Sequence, residues 1–304
     1  MTYDLIIIGG GTAGVTAAIY AARYKLNFIL ISESVGGWLN EIHKIENYPG
    51  FSSISGFELI EKYEEQLKYL NVPIVKENVV SIEKNDGKNF TVNTNANTEY
   101  STKSIIIASG SRKQTLNIPG EKEFLGRGVS YCAICDAMFF KGKKVAVIGG
   151  ANSAISAALH LSKIADHVYL IYRKDKLRAD SVLVESAEKE DKIDIIFNTN
   201  LTKINGKDTV ESIKLDNEYN EKKEIPLDGV FIEVGLVPIV NLVNAVGVEL
   251  DGKKQIKIDE QGLTNIPGIF AAGDVTNGQG ELKQLVTAAA AGAIAAASAN
   301  KYLG

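Results

Sequence analysis

The sequence is short of cysteine: its 304 residues hold two, Cys132 and Cys135. That excludes any cross-link between distant parts of the chain, and neither sulfur has a remote structural partner. Histidine is almost as scarce, occurring only as His43, His160 and His167, none at a ligand-like spacing from the cysteines. A zinc half-site would have to complete its ligand set from these or from carboxylates, and it is the alternative to a redox pair. No sign of charge dominates either. The 33 basic and 37 acidic side chains leave a formal net charge of -4, which provides no electrostatic footprint for nucleic acid or an anionic membrane. Long apolar runs are missing too, since the alanine-rich stretch from Ala288 to Ala299 is too short and too weakly apolar to span a bilayer. The start, Met1-Thr2-Tyr3-Asp4, carries no charged leader, so the expectation is a cytoplasmic protein that engages neither membrane nor nucleic acid.

What is present begins with the spacing of the two thiols. Cys132-Ala133-Ile134-Cys135-Asp136 can close a small ring through its sulfurs, and the adjacent acid can exchange the proton that disulfide chemistry requires. Ser130 or Tyr131 is placed to begin a short helix over this stretch. A reducing compartment favours a working disulfide over a structural one. Composition is that of a globular protein, 45% hydrophobic and 23% charged, and the length suggests two domains with separate cores.

Leu5 to Ile8 is a continuous, mostly β-branched apolar run that ends in Gly9-Gly10-Gly11-Thr12-Ala13-Gly14. A helix over Thr12 to Tyr24 and a strand over Phe28 to Ser32 should follow, the strand ending at Glu33. Strand, G-x-G-x-x-G, helix, strand and acid, in that order, are a dinucleotide fingerprint. Gly9 makes the turn, Gly11 admits a pyrophosphate, Gly14 lets helix and strand approach, and Glu33 is placed for a ribose. Gly36-Gly37-Trp38-Leu39 and Glu46-Asn47-Tyr48-Pro49-Gly50 read as turns, residues 56–69 as an amphipathic helix, and residues 72–100 as an antiparallel meander with a turn at Asn85-Asp86-Gly87. A buried strand from Ser104 then runs through Ala108 to Gly110.

The pattern restarts after the cysteines. Lys144 to Ile148 is a buried strand closing in Gly149-Gly150-Ala151-Asn152-Ser153-Ala154, with a helix to about Ile164. The next strand, Val168 to Tyr172, ends in Arg173-Lys174-Asp175-Lys176-Leu177-Arg178. Cations stand where an NAD-selective fold places an acid, which suits a 2′-phosphate; a solvated basic loop is the alternative. Further short strands lead to Ile266-Pro267-Gly268-Ile269-Phe270-Ala271-Ala272-Gly273-Asp274-Val275 and to Leu282-Lys283-Gln284 before the alanine-rich helix. On its own, Asp274 reads equally as a turn or cap residue.

In this order the motifs resemble those of the low-molecular-weight thioredoxin reductases, over essentially the whole chain. The resemblance implies an α/β protein of two Rossmann-like dinucleotide-binding domains, the second inserted in the first. The FAD-binding domain would comprise residues 1–114 and 244–304, and the NADPH-binding domain, carrying the cysteine pair, residues 115–243. It further implies that FAD lies among Gly9, Gly11, Thr12, Ala13, Gly14, Glu33, Gly36, Gly37, Trp38, Asn47, Ala108, Gly110, Gly273, Asp274, Lys283 and Gln284. NADPH would lie on Gly149, Gly150, Asn152, Ser153, Arg173, Lys174 and Arg178. Cys132 would attack the partner disulfide, Cys135 would lie nearer the flavin, and Asp136 would serve as acid and base. No resident metal is implied. A homodimer acting on a thioredoxin-like small redox protein is expected. Other dithiol partners such as a peroxiredoxin system, NADH or ferredoxin as donor, and a flavin-dependent redox sensor are the alternatives.

Departures from the family pattern are Trp38 for a glutamine, Ala151 for a glycine, Asn152 for an acid, Ser156-Ala157 for an acidic pair, Tyr172 for a histidine, and Lys174 and Lys283 for arginines. One flavin face cannot meet a nicotinamide and a disulfide carried on the same rigid insert at once. The insert is therefore expected to rotate, with hinges near Lys113 to Thr115 and Val243 to Val246.

Overall fold

The structure, a computed structural model, describes residues 2–42, 45–85, 89–280 and 282–304. His43 and the Asp86-Gly87 part of the expected turn lie outside the described residues. The chain forms two compact units, one of Met1–Arg112 with Val237–Gly304 and the other of Lys113–Leu236.

Unit 1 opens with β1 (Thr2–Ile8), α1 (Thr12–Arg23), β2 (Phe28–Ile31), α2 (Gly56–Tyr69), β3 (Ile74–Val75), β4 (Val79–Lys84), β5 (Phe90–Thr94) and β6 (Glu99–Ile107). The apolar run of β1 is unbroken because both its faces are covered. Leu5 and Ile7 enter the core shared with α1 and α2, while Ile6 and Ile8 enter the core shared with the meander. β1 lies between β2 and β6, parallel to both. β6 serves twice, pairing antiparallel with β5 over Glu99–Thr102 and parallel with β1 as far as Ile107. The meander is thus β4, β5 and β6. Ile74 and Val75, expected within it, instead extend the parallel edge beside β2. Ser55 caps α2 by accepting the Glu58 N–H at 3.2 Å, and the Glu58 carboxylate accepts the Ser55 N–H at 2.8 Å.

The chain leaves unit 1 along β7 (Ser111–Lys113). Unit 2 contains β8 (Val129–Ser130), α3 (Ala133–Asp136), β9 (Lys144–Ile148), α4 (Asn152–Ser162), β10 (His167–Ile171), α5 (Ser181–Glu188), β11 (Ile193–Ile196), β12 (Leu201–Gly206), β13 (Val210–Tyr219), β14 (Lys222–Pro226) and β15 (Gly229–Ile232). Its parallel sheet has the order β11-β10-β9-β15-β8, and β12, β13 and β14 form an antiparallel sheet. β9 repeats the logic of β1, with Val145 and Val147 packed with α4 and Ala146 and Ile148 packed with the antiparallel sheet.

The chain returns along β16 (Leu236–Pro238), which pairs with β7; β17 (Ile269–Ala271) then joins β6, and α6 (Leu285–Leu303) ends the fold. Val240, Leu242, Val243 and Val246 are buried with Ile82 and Val92 of the meander. Their side chains belong to the core of unit 1, so the return falls at Leu236/Val237 rather than near residue 243. No described helix is long and apolar enough to cross a membrane.

Candidate functional site

Cys132 and Cys135 are joined by a disulfide, with their Cα atoms 5.3 Å apart. The sulfur of Cys132 caps α3, accepting the Cys135 N–H at 3.2 Å. The helix therefore starts at Ala133, later than the expected Ser130 or Tyr131, because the Ser130 hydroxyl is engaged elsewhere. It donates to Asp136 Oδ2 at 2.6 Å and accepts the Cys132 N–H at 2.9 Å. Ser130 thus ties the acid to the backbone of the first cysteine; sequence reading had no signal for this role, since serine is common ahead of helices. Cys135 is exposed and Cys132 half-buried, beside the exposed apolar side chains of Ile134, Met138 and Phe139. Among the described residues no group of three or more histidines, cysteines or carboxylates gathers to hold a metal ion.

The first glycine motif forms a cradle at the head of α1. Gly9 has φ +108°, and a Cβ there would fall 2.3 Å from the Ala108 carbonyl oxygen, so only glycine makes this turn. A Cβ on Gly14 would fall 1.8 Å from the Gly9 carbonyl oxygen, which is the close helix–strand approach the motif predicts. Gly11, the N-cap of α1, has nothing within 4 Å of a Cβ position, leaving its surface open to a phosphate. Gly37 comes to the same place, its Cβ position 3.2 Å from Gly11 Cα, and that of Gly273 is 2.9 Å from Ala13 Cβ. Thr12 accepts the Tyr63 hydroxyl at 3.4 Å, Gly36 is buried, and Glu33 is exposed just beyond β2.

The polar residues expected around a flavin are linked in the same unit. Asn47 Nδ2 donates to Gln284 Oε1 at 3.1 Å, and Lys283 Nζ donates to the Asp274 carbonyl at 2.8 Å. Trp38 Nε1 donates to Ser111 Oγ at 3.3 Å, and Ser111 in turn hydrogen-bonds the Asp274 carboxylate. Burial holds the Asp274 carboxyl above its ordinary range, opposed by Lys283 and by the Ser111 hydrogen bond; burial also lowers the Lys283 ammonium, opposed by Asp274. Ser111 escaped sequence reading because it lies 73 residues from Trp38 in the chain. The open Gly11 and this chain of donors and acceptors fit a flavin dinucleotide.

Unit 2 carries the second cradle. Gly149 turns at φ +147°, and a Cβ on Gly150 would lie 2.4 Å from the Tyr172 ring, so that ring closes over the turn. Ala151, Asn152 and Ser153 are exposed at the head of α4, and Arg173, Lys174 and Arg178 are exposed after β10. An open helix head with cations nearby fits a phosphorylated dinucleotide.

A cysteine disulfide in one unit and paired α/β nucleotide cradles define a disulphide oxidoreductase that works with a pyridine nucleotide. Residues 3–292 match the family described as pyridine nucleotide-disulphide oxidoreductase. The chain is 41% identical to a thioredoxin reductase of Listeria innocua, over 99% of this chain and 94% of that one. It is 39% identical to a thioredoxin reductase of Bacillus subtilis, covering 99% and 95%. Its fold superposes on the crystal structure of a thioredoxin reductase of Lactococcus lactis with a TM-score of 0.91, at 41% identity and 99% coverage of each chain. The chain belongs to the low-molecular-weight thioredoxin reductase family, whose members are FAD-dependent enzymes that use NADPH.

Proposed function

We propose that this chain is a thioredoxin-disulfide reductase in which the residues of unit 1 hold FAD and the glycine turn and basic loop of unit 2 hold NADPH. FAD, when bound, supplies the two-electron exchange between a nicotinamide and a disulfide. Gly9 makes the turn and Gly14 the close helix–strand approach that leave Gly11 and the head of α1 open to its pyrophosphate, and Asp274, Lys283, Asn47 and Gln284 orient the rest. Gly149, Gly150, Asn152 and Ser153 take the second pyrophosphate, and Arg173, Lys174 and Arg178 the 2′-phosphate.

Two electrons and one proton convert the Cys132–Cys135 bond to a thiolate on Cys132 and a thiol on Cys135. The Cys135 N–H directed at Cys132 Sγ favours negative charge on that sulfur, and Asp136, oriented by Ser130, holds or returns the proton. The Cys132 thiolate attacks the partner disulfide, forming a mixed disulfide and releasing one partner thiolate. Cys135 then attacks Cys132 Sγ, releasing the second partner thiolate and restoring the starting bond. The exposed Ile134, Met138 and Phe139 beside the pair support a protein as the partner, and a thioredoxin is the one we propose. The family resemblance supports a homodimer, and the working dithiol supports a cytoplasmic setting.

The observation that carries the reading is the disulfide with Asp136 tethered through Ser130 beside it. Cys132→Ser should leave bleaching of the flavin by NADPH intact and cut reduction of thioredoxin to background. A Cys132→Ser protein that reduces thioredoxin at the parental rate removes the dithiol from the pathway.

A further inference from the structure

The loop between β10 and α5 carries Arg173, Lys174 and Arg178 on its exposed side, and its geometry is set by contacts to the head of α4. Arg178 N–H donates to the Gly150 carbonyl at 2.7 Å, and Ala151 and Arg178 form a parallel bridge. Further along, Asn152 Nδ2 donates to Asp180 Oδ2 at 3.0 Å while Asp180 N–H donates to Asn152 Oδ1 at 2.9 Å. Neither residue spends its side chain on its own helix. Asn152 is the first residue of α4, whose cap Ala151 makes no side-chain bond, and Asp180 stands at the cap of α5 without a capping bond.

We propose that Asn152 and Asp180 form a positioning clamp that fixes the basic loop against the head of α4, and that this clamp sets the preference of unit 2 for a nucleotide bearing a 2′-phosphate. The proposal rests on the reading of unit 2 as the NADPH site. A free loop of exposed cations must be ordered when a phosphate binds, at a cost in conformational entropy; a loop already held is ordered beforehand. Between them, the two hydrogen bonds of the clamp match donor to acceptor in one sense only. An acid at 152 would face the Asp180 carboxylate across about 3 Å, a like-charge contact that forces the loop away. The departure from an acid at this position therefore follows from the acid at 180. Exchanging the two side chains restores the match: an aspartate at 152 accepts from both the backbone N–H and the amide of an asparagine at 180, with no change in net charge.

The test is calorimetric binding of 2′,5′-ADP and 5′-AMP, which differ only by the 2′-phosphate, to the flavin-loaded chain. Asn152→Asp should lower the preference for 2′,5′-ADP over 5′-AMP about tenfold, the size of a coupled hydrogen-bonded pair. The double variant Asn152→Asp/Asp180→Asn should recover it to within about threefold. Asn152→Ala removes both side-chain bonds without adding charge, should lower the preference in the same direction, and serves if Asn152→Asp does not fold. A parental preference in the Asn152 variants, or a folded double variant that does not recover it, overturns the clamp. Arg178→Ala separates the two levels. If Arg178→Ala lowers the preference and the Asn152 variants do not, the clamp alone falls; if Arg178→Ala leaves the preference unchanged, the NADPH reading of this loop falls and the clamp with it.

Discussion

Asp274 sits where burial, a lysine and the hydroxyl of Ser111 all act on one carboxyl, with burial raising its affinity for a proton. A carboxyl whose native pKa lies above its unfolded one contributes stability that is complete below the unfolded value and lost as pH rises through the native value. Asp274→Asn removes that loss. In the flavin-stripped chain, denaturant unfolding should therefore show the variant gaining on the parent as pH rises from the ordinary carboxylate range through the raised native value, with a flat difference above. A difference that shrinks over that interval would mean that Lys283 and Ser111 outweigh burial. At this scale the motif residues were legible because a tight turn demands glycine locally, as at Gly9, and because an incoming phosphate needs the uncovered backbone that Gly11 leaves. Ser111, Ser130 and Asp180 were not. Their roles arise from partners brought close by the fold, and Asn152 and Asp180 meet across 28 residues of chain.

Elements report the same division. The unbroken apolar runs of β1 and β9 announced strands covered on both faces, and α2 announced itself by its periodicity and its Ser55–Glu58 cap. β3, two residues long, carries too little pattern to reveal which sheet it joins. α3 was legible as a helix but not in its first residue, because the capping atom is a sulfur. The packing of α6 was visible only as a wealth of small residues, and the structure supplies the reason. A Cβ on Gly292 would stand 2.1 Å from the Ala13 carbonyl oxygen, so α6 crosses α1 backbone to backbone at its first turn. Gly292→Ala should push the helices apart and lower unfolding free energy by about 1–3 kcal/mol at unchanged denaturant slope. Because Ala13 belongs to the cradle, flavin should also leave the variant more readily, as a dialysis time course of its absorbance would record. An unchanged midpoint together with unchanged retention would show that the crossing tolerates an extra methyl.

For the molecule as a whole, the two passages between units are carried by strands that pair with each other, β7 and β16. Gly110 and Gly235, both at positive φ, flank them, with no atom within 4 Å of the first Cβ position and only Gln114 Oε1, at 3.8 Å, near the second. If one flavin face serves a nicotinamide and a disulfide in turn, these strands must bend between half-reactions. An engineered covalent link between β7 and β16 should leave either flavin reduction by NADPH or dithiol turnover intact and stop the other, as stopped-flow absorbance would show. Both proceeding at full rate would rule out the reorientation.

The divided course of unit 1 also dictates an order of events at the ribosome. β6 emerges early, yet its neighbour β17 and the covering α6 come only after all of unit 2 has been translated. The inserted unit can therefore finish folding while the first half of its host still exposes an unclosed sheet edge, a nascent state in which chaperone shielding matters most.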